Sequence, residues 1–303
     1  MTELQELIKA EKAAQAALVL AHYYQTMDIQ EIADHVCDSF EMARLARSAG
    51  EELLIICGVR FMAESAKILN PGKKVLMPTA GAGCPMADMI SPEDVVALRS
   101  KYPDAAVVCY VNSSAAVKAV SDICCTSSSA EKVVRSLPEK RIVFIPDRNL
   151  GAFVAAKVPE KEIIMHSGYC PVHDRVGEMD VMNAKIKHEG AKLLVHPECR
   201  EEVLRHADHI GSTAEIIQTA LSSDAREFII GTEAEVAERL SNLAPEKAFY
   251  PLTDDFICGD MKTITLPDVL RCLREGVVEI KLDTEVIEAA RKSLDRMIDA
   301  GRA

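Results

Sequence analysis

Leu18–Ser39 reads LVLAHYYQTMDIQEIADHVCDS, and its outline returns twice, as VVCYVNSSAAVKAVSDICCTS over Val107–Ser127 and LLVHPECREEVLRHADHIGST over Leu193–Thr213. Each copy opens on an apolar run that ends in polar residues. That is the pattern of a buried strand delivering its C-terminal end to a site. The spacings repeat more faithfully than the letters. His22 to Asp34, Tyr110 to Asp122 and His196 to Asp208 are each 12 residues apart, and the same three starting residues lie 17 before Ser39, Ser127 and Thr213.

Two further apolar runs follow in every copy. LLIICG, RIVFIPD and EFIIGT come second, KVLMP, EIIMH and KAFYPL third. Segments of helical period, such as FEMARLARSAG, AEKVVRSL and AEIIQTAL, lie between runs. Strands separated by helix-length segments imply parallel sheets covered on both faces. The expected fold class is therefore α/β, with three pseudo-threefold-related αβα sandwich units and a shared site on the central axis. Each unit of about 85–90 residues is small for an independent domain and gains stability from its neighbours. The expected division is an N-terminal helix over 1–16, then units over 17–104, 105–191 and 192–303, the last carrying a C-terminal helix. Two ordinary doubly wound domains are the alternative, and they leave the triple register unexplained.

Composition narrows the function. The 303 residues are 49% hydrophobic, but only 4% are aromatic and none is Trp. With 47 acidic against 35 basic residues the net charge is −12, which repels phosphate backbones and argues against nucleic acid. No apolar run approaches the roughly 20 residues of a membrane span, and the charged start of the chain reads as an amphipathic helix rather than a secretory signal. A cytoplasmic setting follows, in which ten cysteines do not make a disulfide scaffold.

The register sorts those cysteines. Cys84 lies 62 residues past His22, Cys170 60 past Tyr110, and Cys258 62 past His196. Each unit thus offers one cysteine in the loop after its third apolar run, and three equivalent loops converge on an axis. Their settings, TAGAGCPMA, HSGYCPVH and DDFICGDM, are small or turn-forming and let backbone N–H groups approach sulfur. Taken singly, a free cysteine is most often a buried apolar residue, and Cys37, Cys57, Cys109, Cys124, Cys125, Cys199 and Cys272 are assigned to packing. Three cysteines fit a 4Fe–4S cluster with one iron left open as a Lewis acid, whereas a structural zinc takes four ligands. Catalytic zinc, with His173 beside Cys170, is the competing metal. A non-enzymatic iron–sulfur sensor is the rival of another class, and it would call for a docking surface of which the net charge gives no sign.

Two more rings share the register. His22 with Tyr24, Tyr110 with Asn112 and His196 with Glu198 stand two apart at strand ends, so both members of a pair leave on one face. Ligands bind at such C-terminal strand ends in parallel sheets. Ser39, Ser127 and Thr213 stand near helix starts, where Asp38–Glu41, Ser128–Glu131 and Ser212–Glu215 read as capping boxes. Three helix N-termini aimed at one axis would offer N–H donors to an anionic ligand despite the acidic chain.

Motifs along nearly the whole chain make it resemble the quinolinate synthase family, iron–sulfur enzymes of NAD biosynthesis. They are LAHYYQ at 20–25, CDS at 37–39, GVRFMAESAKILNP at 58–71, YVNSSA at 110–115, GYCPVH at 168–173, HPEC at 196–199, GST at 211–213 and MKTITL at 261–266. The resemblance implies a triplicated αβα body that condenses iminoaspartate with dihydroxyacetone phosphate to quinolinate, releasing phosphate and water. It implies one 4Fe–4S cluster per chain on Cys84, Cys170 and Cys258. It further implies binding of the iminoaspartate-derived part by His22, Ser39, Tyr110, Asn112, Ser127, His173, His196, Glu198 and Thr213. Glu198, Tyr24, His22 and Tyr110 would serve as proton-transferring groups, and the enzyme supplying iminoaspartate is a candidate partner. Two departures stand out. Cys37 occupies a place where the family commonly has Gly, and the third loop, CGDM, lacks the extra cysteines of longer relatives.

Overall fold

A computed structural model describes residues 2–302, so Met1 and Ala303, the outer ends of the expected division, lie outside the described residues. Twelve strands form three separate four-stranded sheets. The first holds β1 (Ala17–His22), β2 (His35–Cys37), β3 (Leu53–Cys57) and β4 (Lys74–Leu76). The second holds β5 (Ala105–Tyr110), β6 (Ile123–Cys125), β7 (Arg141–Ile145) and β8 (Glu162–Met165). The third holds β9 (Lys192–Val195), β10 (His209–Ile210), β11 (Glu227–Gly231) and β12 (Ala248–Pro251). Every pairing is parallel, and each sheet has its second strand at one edge, then the first, third and fourth. Each sheet is flanked by helices, so the three αβα units expected from the repeat are present.

The sequence reading allowed three strands per unit; the structure has four. The added edge strands are HVC, ICC and HI, too short to carry a period of two. What fixes them is the aspartate twelve residues past His22, Tyr110 and His196. Asp34, Asp122 and Asp208 donate their own N–H to the carbonyls of Val19, Val107 and Leu193. Their carboxylates accept the N–H of the same three residues at 2.8, 2.7 and 2.9 Å. A basic side chain closes each strap: Lys12, Arg99 and Lys192 reach Asp34, Asp122 and Asp208 at 2.9, 2.8 and 2.9 Å.

The core is unevenly shared. Units one and two form one continuous apolar cluster that also takes in residues 261–298, whereas unit three has two smaller clusters, one of which also holds Val176, Val181, Ala184 and Ala191 from the end of unit two. The last two helices explain this, because both pack on the first two units. Leu266–Glu275 lies on the N-terminal helix Glu3–Ala14, where Gln15 Nε2 donates to the Leu273 carbonyl at 2.6 Å and Arg274 pairs with Glu11. Thr284–Arg302 lies on unit two, with Ser293 Oγ donating to the Lys118 carbonyl and Arg296 to that of Asp122.

Candidate active site

One cavity of about 170 Å³, a small-molecule size, opens where the C-terminal strand ends of the three units face each other. It brings together every candidate residue of the sequence reading: His22, Tyr24, Ser39, Cys84, Tyr110, Asn112, Ser127, Cys170, His173, His196, Glu198, Thr213 and Cys258.

The cysteine loops are built alike. In each unit the first N–H after the third strand's exit turn grips the carbonyl two residues before the cysteine: Arg60 on Ala82, Arg148 on Gly168, Ala234 on Phe256. Each cysteine carbonyl then accepts the N–H four residues on, from Asp88, Asp174 and Lys262, so each cysteine heads a short helical turn. Within that turn the N–H three residues on, of Ala87, His173 and Met261, points at the cysteine sulfur. These three cysteines are half-buried, whereas the seven assigned to packing are all buried. Burial pushes the Cys84 thiol up to about 12 and the Cys258 thiol to about 11, and it holds Cys170 well above its ordinary value. A thiolate at these positions would need a cation beside it, such as a bound metal.

Donor spacing bears on the kind of metal. Among the described residues, the group whose donor atoms all lie within 4.8 Å is Cys170, His173 and Glu198, not the three cysteines. At least one pair of the three sulfurs therefore lies more than 4.8 Å apart. Three sulfurs on a single zinc, at Zn–S of about 2.3 Å, would lie closer than that.

Strand alternation does not place the second members of the strand-end pairs. β1 ends at His22, β5 at Tyr110 and β9 at Val195, one residue before His196. Tyr24, Asn112 and Glu198 thus lie in the following turns, and hydrogen bonds aim them. His22 Nδ1 accepts the Tyr24 N–H at 3.2 Å, and His196 Nδ1 accepts the Glu198 N–H at 3.3 Å. Both imidazoles then carry their proton on Nε2. Burial lowers the His22 pKa to about 3 and that of His196 to about 4, so both are neutral donors at pH 7.

Glu198 is the charged centre. Burial alone would raise its pKa, but His196, His173 and a Tyr110 hydrogen bond hold it below the usual carboxylate range. Its Oε2 lies 2.8 Å from His173 Nδ1, Asn112 Nδ2 reaches its Oε1 at 3.5 Å, and its carbonyl is tied to Asn149 Nδ2 at 2.9 Å. Burial first, and then the Glu198 charge, keep the Tyr24 and Tyr110 phenols protonated well above their ordinary value. Asn112 Oδ1 is buried in the cavity wall without a hydrogen-bond partner.

The hydroxyl ring is less regular than the register implies. Ser39 and Thr213 are first residues of their helices, capped by Asp38 and by the full Ser212–Glu215 box. In unit two the helix starts later, at Ala130, and the expected Ser128–Glu131 box is not made. The run TSSS instead forms its own turn, with Thr126 N–H on Ser129 Oγ and both Ser128 and Ser129 against Thr126 Oγ1. Ser127 still reaches the cavity, from a turn rather than from a helix start.

Three supporting residues escaped the sequence reading. Asp147 and Glu233, each two residues past the end of β7 and β11, accept the N–H of Cys170 (3.2 Å) and Cys258 (3.4 Å). Their common position in the repeat was the available signal; unit one carries Val59 there, which hides it. Thr232, fully buried, bonds His173 Nε2 at 3.0 Å and Tyr24 OH at 2.7 Å.

A triplicated α/β body whose strand ends bring an ionised carboxylate, neutral imidazoles, phenols and three thiols to one small cavity is built as an enzyme of small-molecule chemistry. Comparison gives it a family. The model for quinolinate synthetase A protein matches residues 6–299. The quinolinate synthase of Caldicellulosiruptor saccharolyticus is 50% identical over 297 residues, 98% of this chain and 97% of that protein. Quinolinate synthase 2 of Methanosarcina acetivorans is 47% identical over 293 residues (97% and 94%), and the quinolinate synthase of Clostridium perfringens strain 13 is 44% identical over 296 residues (98% of each). The chain belongs to the quinolinate synthase family, enzymes of NAD biosynthesis. None of its described helices is long and apolar enough to cross a membrane.

Proposed function

We propose that this protein condenses iminoaspartate with dihydroxyacetone phosphate to quinolinate, phosphate and water, using one 4Fe–4S cluster held by Cys84, Cys170 and Cys258. The observation that carries it is the threefold identity of the cysteine turns, each with a backbone N–H aimed at sulfur and all facing one cavity. Such N–H donors stabilise cluster-bound thiolates. Bound there, a cluster with one iron free of cysteine would supply Lewis acidity.

The chain's own groups account for the rest. Ser39 and Thr213, at helix N-termini, and Ser127 hold carboxylates with hydroxyl and backbone donors. His22 and His196 add Nε2–H donors. Asn112 Oδ1, unpartnered in the cavity wall, accepts the nitrogen-bound hydrogen of the imine. Glu198 is the base of the isomerisation and dehydration steps, with Tyr24, His22 and Tyr110 as its proton-transfer partners. The work belongs in the cytoplasm, where thiols stay reduced. Imines hydrolyse in water, which makes the enzyme supplying iminoaspartate a natural partner.

A second reading, a single zinc on Cys170, His173 and Glu198, is favoured by their mutual closeness. Anaerobic purification separates the two. A brown protein with about four iron and four sulfide per chain supports the cluster, and stoichiometric zinc overturns it. Mixing the cluster-loaded protein anaerobically with dihydroxyacetone phosphate and freshly generated iminoaspartate should yield quinolinate and phosphate. If no quinolinate forms, the proposed reaction is wrong.

A further inference from the structure

The Asn112 amide is loosely held inside the cavity. Its Oδ1 has no partner, and its Nδ2 reaches Glu198 only at 3.5 Å. The turn that carries it is gripped from behind instead, by two buried charged side chains that do not line the cavity. Glu64, on the unit-one helix Arg60–Leu69, accepts the Ala115 N–H of unit two on Oε2 at 2.8 Å. Lys118, which has no exposed surface, donates its Nζ to the Ser113 carbonyl.

The remaining bonds of the turn stay within unit two. The Val111 N–H donates to the Cys125 carbonyl and the Ser113 N–H to the Val111 carbonyl, both at 2.8 Å. Ser113 Oγ donates to the Tyr110 carbonyl at 3.0 Å. Among the described residues, Glu64 is the one side chain from another unit that bonds the backbone of residues 110–115. Its Oε1 accepts Arg60 Nε at 3.0 Å, and the Arg60 N–H holds the Ala82 carbonyl, two residues before Cys84. One helix therefore grips the first cysteine loop by a backbone group and the Asn112 turn by a side chain. A buried carboxylate stays where its donors are, because leaving them costs its hydrogen bonds without giving it water.

We propose that Glu64 is a positioning residue: from unit one it sets the Asn112 turn of unit two, and so fixes where the imine end of the substrate sits. The inference rests on the reading above in which Asn112 accepts the imine hydrogen. An imine N–H points in one direction, and a hydrogen bond weakens steeply as its angle closes. A small swing of the amide is therefore a large loss, and nothing inside the cavity holds the amide against that swing. Specificity for the nitrogen-bearing substrate is thus built on a contact between two units, outside the cavity itself.

Glu64→Leu fills the same space without an acceptor and leaves the Ala115 N–H unpaired. In the cluster-loaded enzyme the KM for iminoaspartate should rise about tenfold, the scale of one well-aligned hydrogen bond, with the KM for dihydroxyacetone phosphate little changed. Glu64→Gln still accepts the N–H, and Arg60, whose side chain is 58% exposed, can turn to water. Glutamine should therefore recover most of the affinity. Amide hydrogen exchange over residues 110–119 should quicken in the leucine variant and not in the glutamine one. Asn112→Ala should raise the same KM, and adding Glu64→Leu to it should cost little more, because the two act through one contact. Cluster absorbance and circular dichroism check that the variants are folded and loaded, and Glu64→Ala replaces leucine if leucine fails that check. An acceptor-free variant with the wild-type KM, or with unchanged exchange, overturns the inference. So does a rise shared equally by both substrates, glutamine that rescues no better than leucine, or a double variant that is fully additive. Asn112→Ala at the wild-type KM removes the role given to Asn112 and this inference with it. Wild-type enzyme that makes no quinolinate instead brings down the functional reading, and the exchange experiment alone then decides whether Glu64 holds the turn.

Discussion

Glu198 is fully enclosed yet ionised, and every neighbour that keeps it so is a group the reaction can use: His173, His196, Tyr110 and Asn112. Replacing it with Gln keeps the volume and removes the charge, so the imidazoles lose the partner that orients them. Glu198→Gln should retain iron and sulfide at wild-type stoichiometry while kcat falls by about 10²-fold, the scale of a lost general base. Iron analysis alongside quinolinate formation checks this, and an active variant would remove Glu198 from proton transfer. The residue scale was the most legible part of the site, because strand ends and cysteine loops recur in register and that register alone separates three cysteines from seven. Thr232 was not legible. Its meaning lies in partners from two other loops, and no spacing along the chain announces a hydroxyl that closes a path between a histidine and a tyrosine.

At the level of elements, the repeated aspartate does the work that the edge strands are too short to do. β6 has three residues and β10 two, and strands so short hold little ladder of their own. Asp122 compensates by taking the Val107 N–H at 2.7 Å and returning its own N–H to the Val107 carbonyl. Asp122→Ala should cost about 1.5–3 kcal/mol, one hydrogen bond to a charged group, read as a lower urea midpoint at unchanged slope. Asp122→Asn, which can still accept, should lose less. An alanine variant as stable as wild type would show that the strap is ornamental. The 12-residue spacing was visible in the sequence, but its cause was not, since HVC, ICC and HI lack the length to reveal a strand. The missing cap at Ser128 has a similar origin. Four consecutive hydroxyl residues offer several equivalent turns, and only packing decides which one forms.

The molecule as a whole is two units fused through the C-terminal helices and a third whose apolar clusters are separate from that fused core, one of them shared with the end of unit two. What ties that third unit to the first is largely polar, and Lys262 is its hub. Its Nζ donates to the Tyr24 carbonyl at 2.8 Å and pairs with Glu233 at 2.9 Å and Glu235 at 3.2 Å. Glu233 has no exposed surface and also accepts the Cys258 N–H, so one ammonium steadies both the Tyr24 turn and the third cysteine loop. Lys262→Met would strand a buried carboxylate. Breaking such a pair costs about 3 kcal/mol or more, and the low end applies because the Lys262 side chain keeps 21% of its exposure. The expected result is a urea midpoint lowered by that amount and a reduced iron content, since the loop carrying Cys258 loses its anchor. Adding Glu233→Gln should restore much of the stability, because the uncompensated charge is then gone, but not all of the iron, because the tie to Tyr24 stays broken. If the single variant keeps both its midpoint and its iron, the third unit is held by something other than this ion pair, and the apolar contacts of Tyr23 and Tyr24 with its core become the place to look.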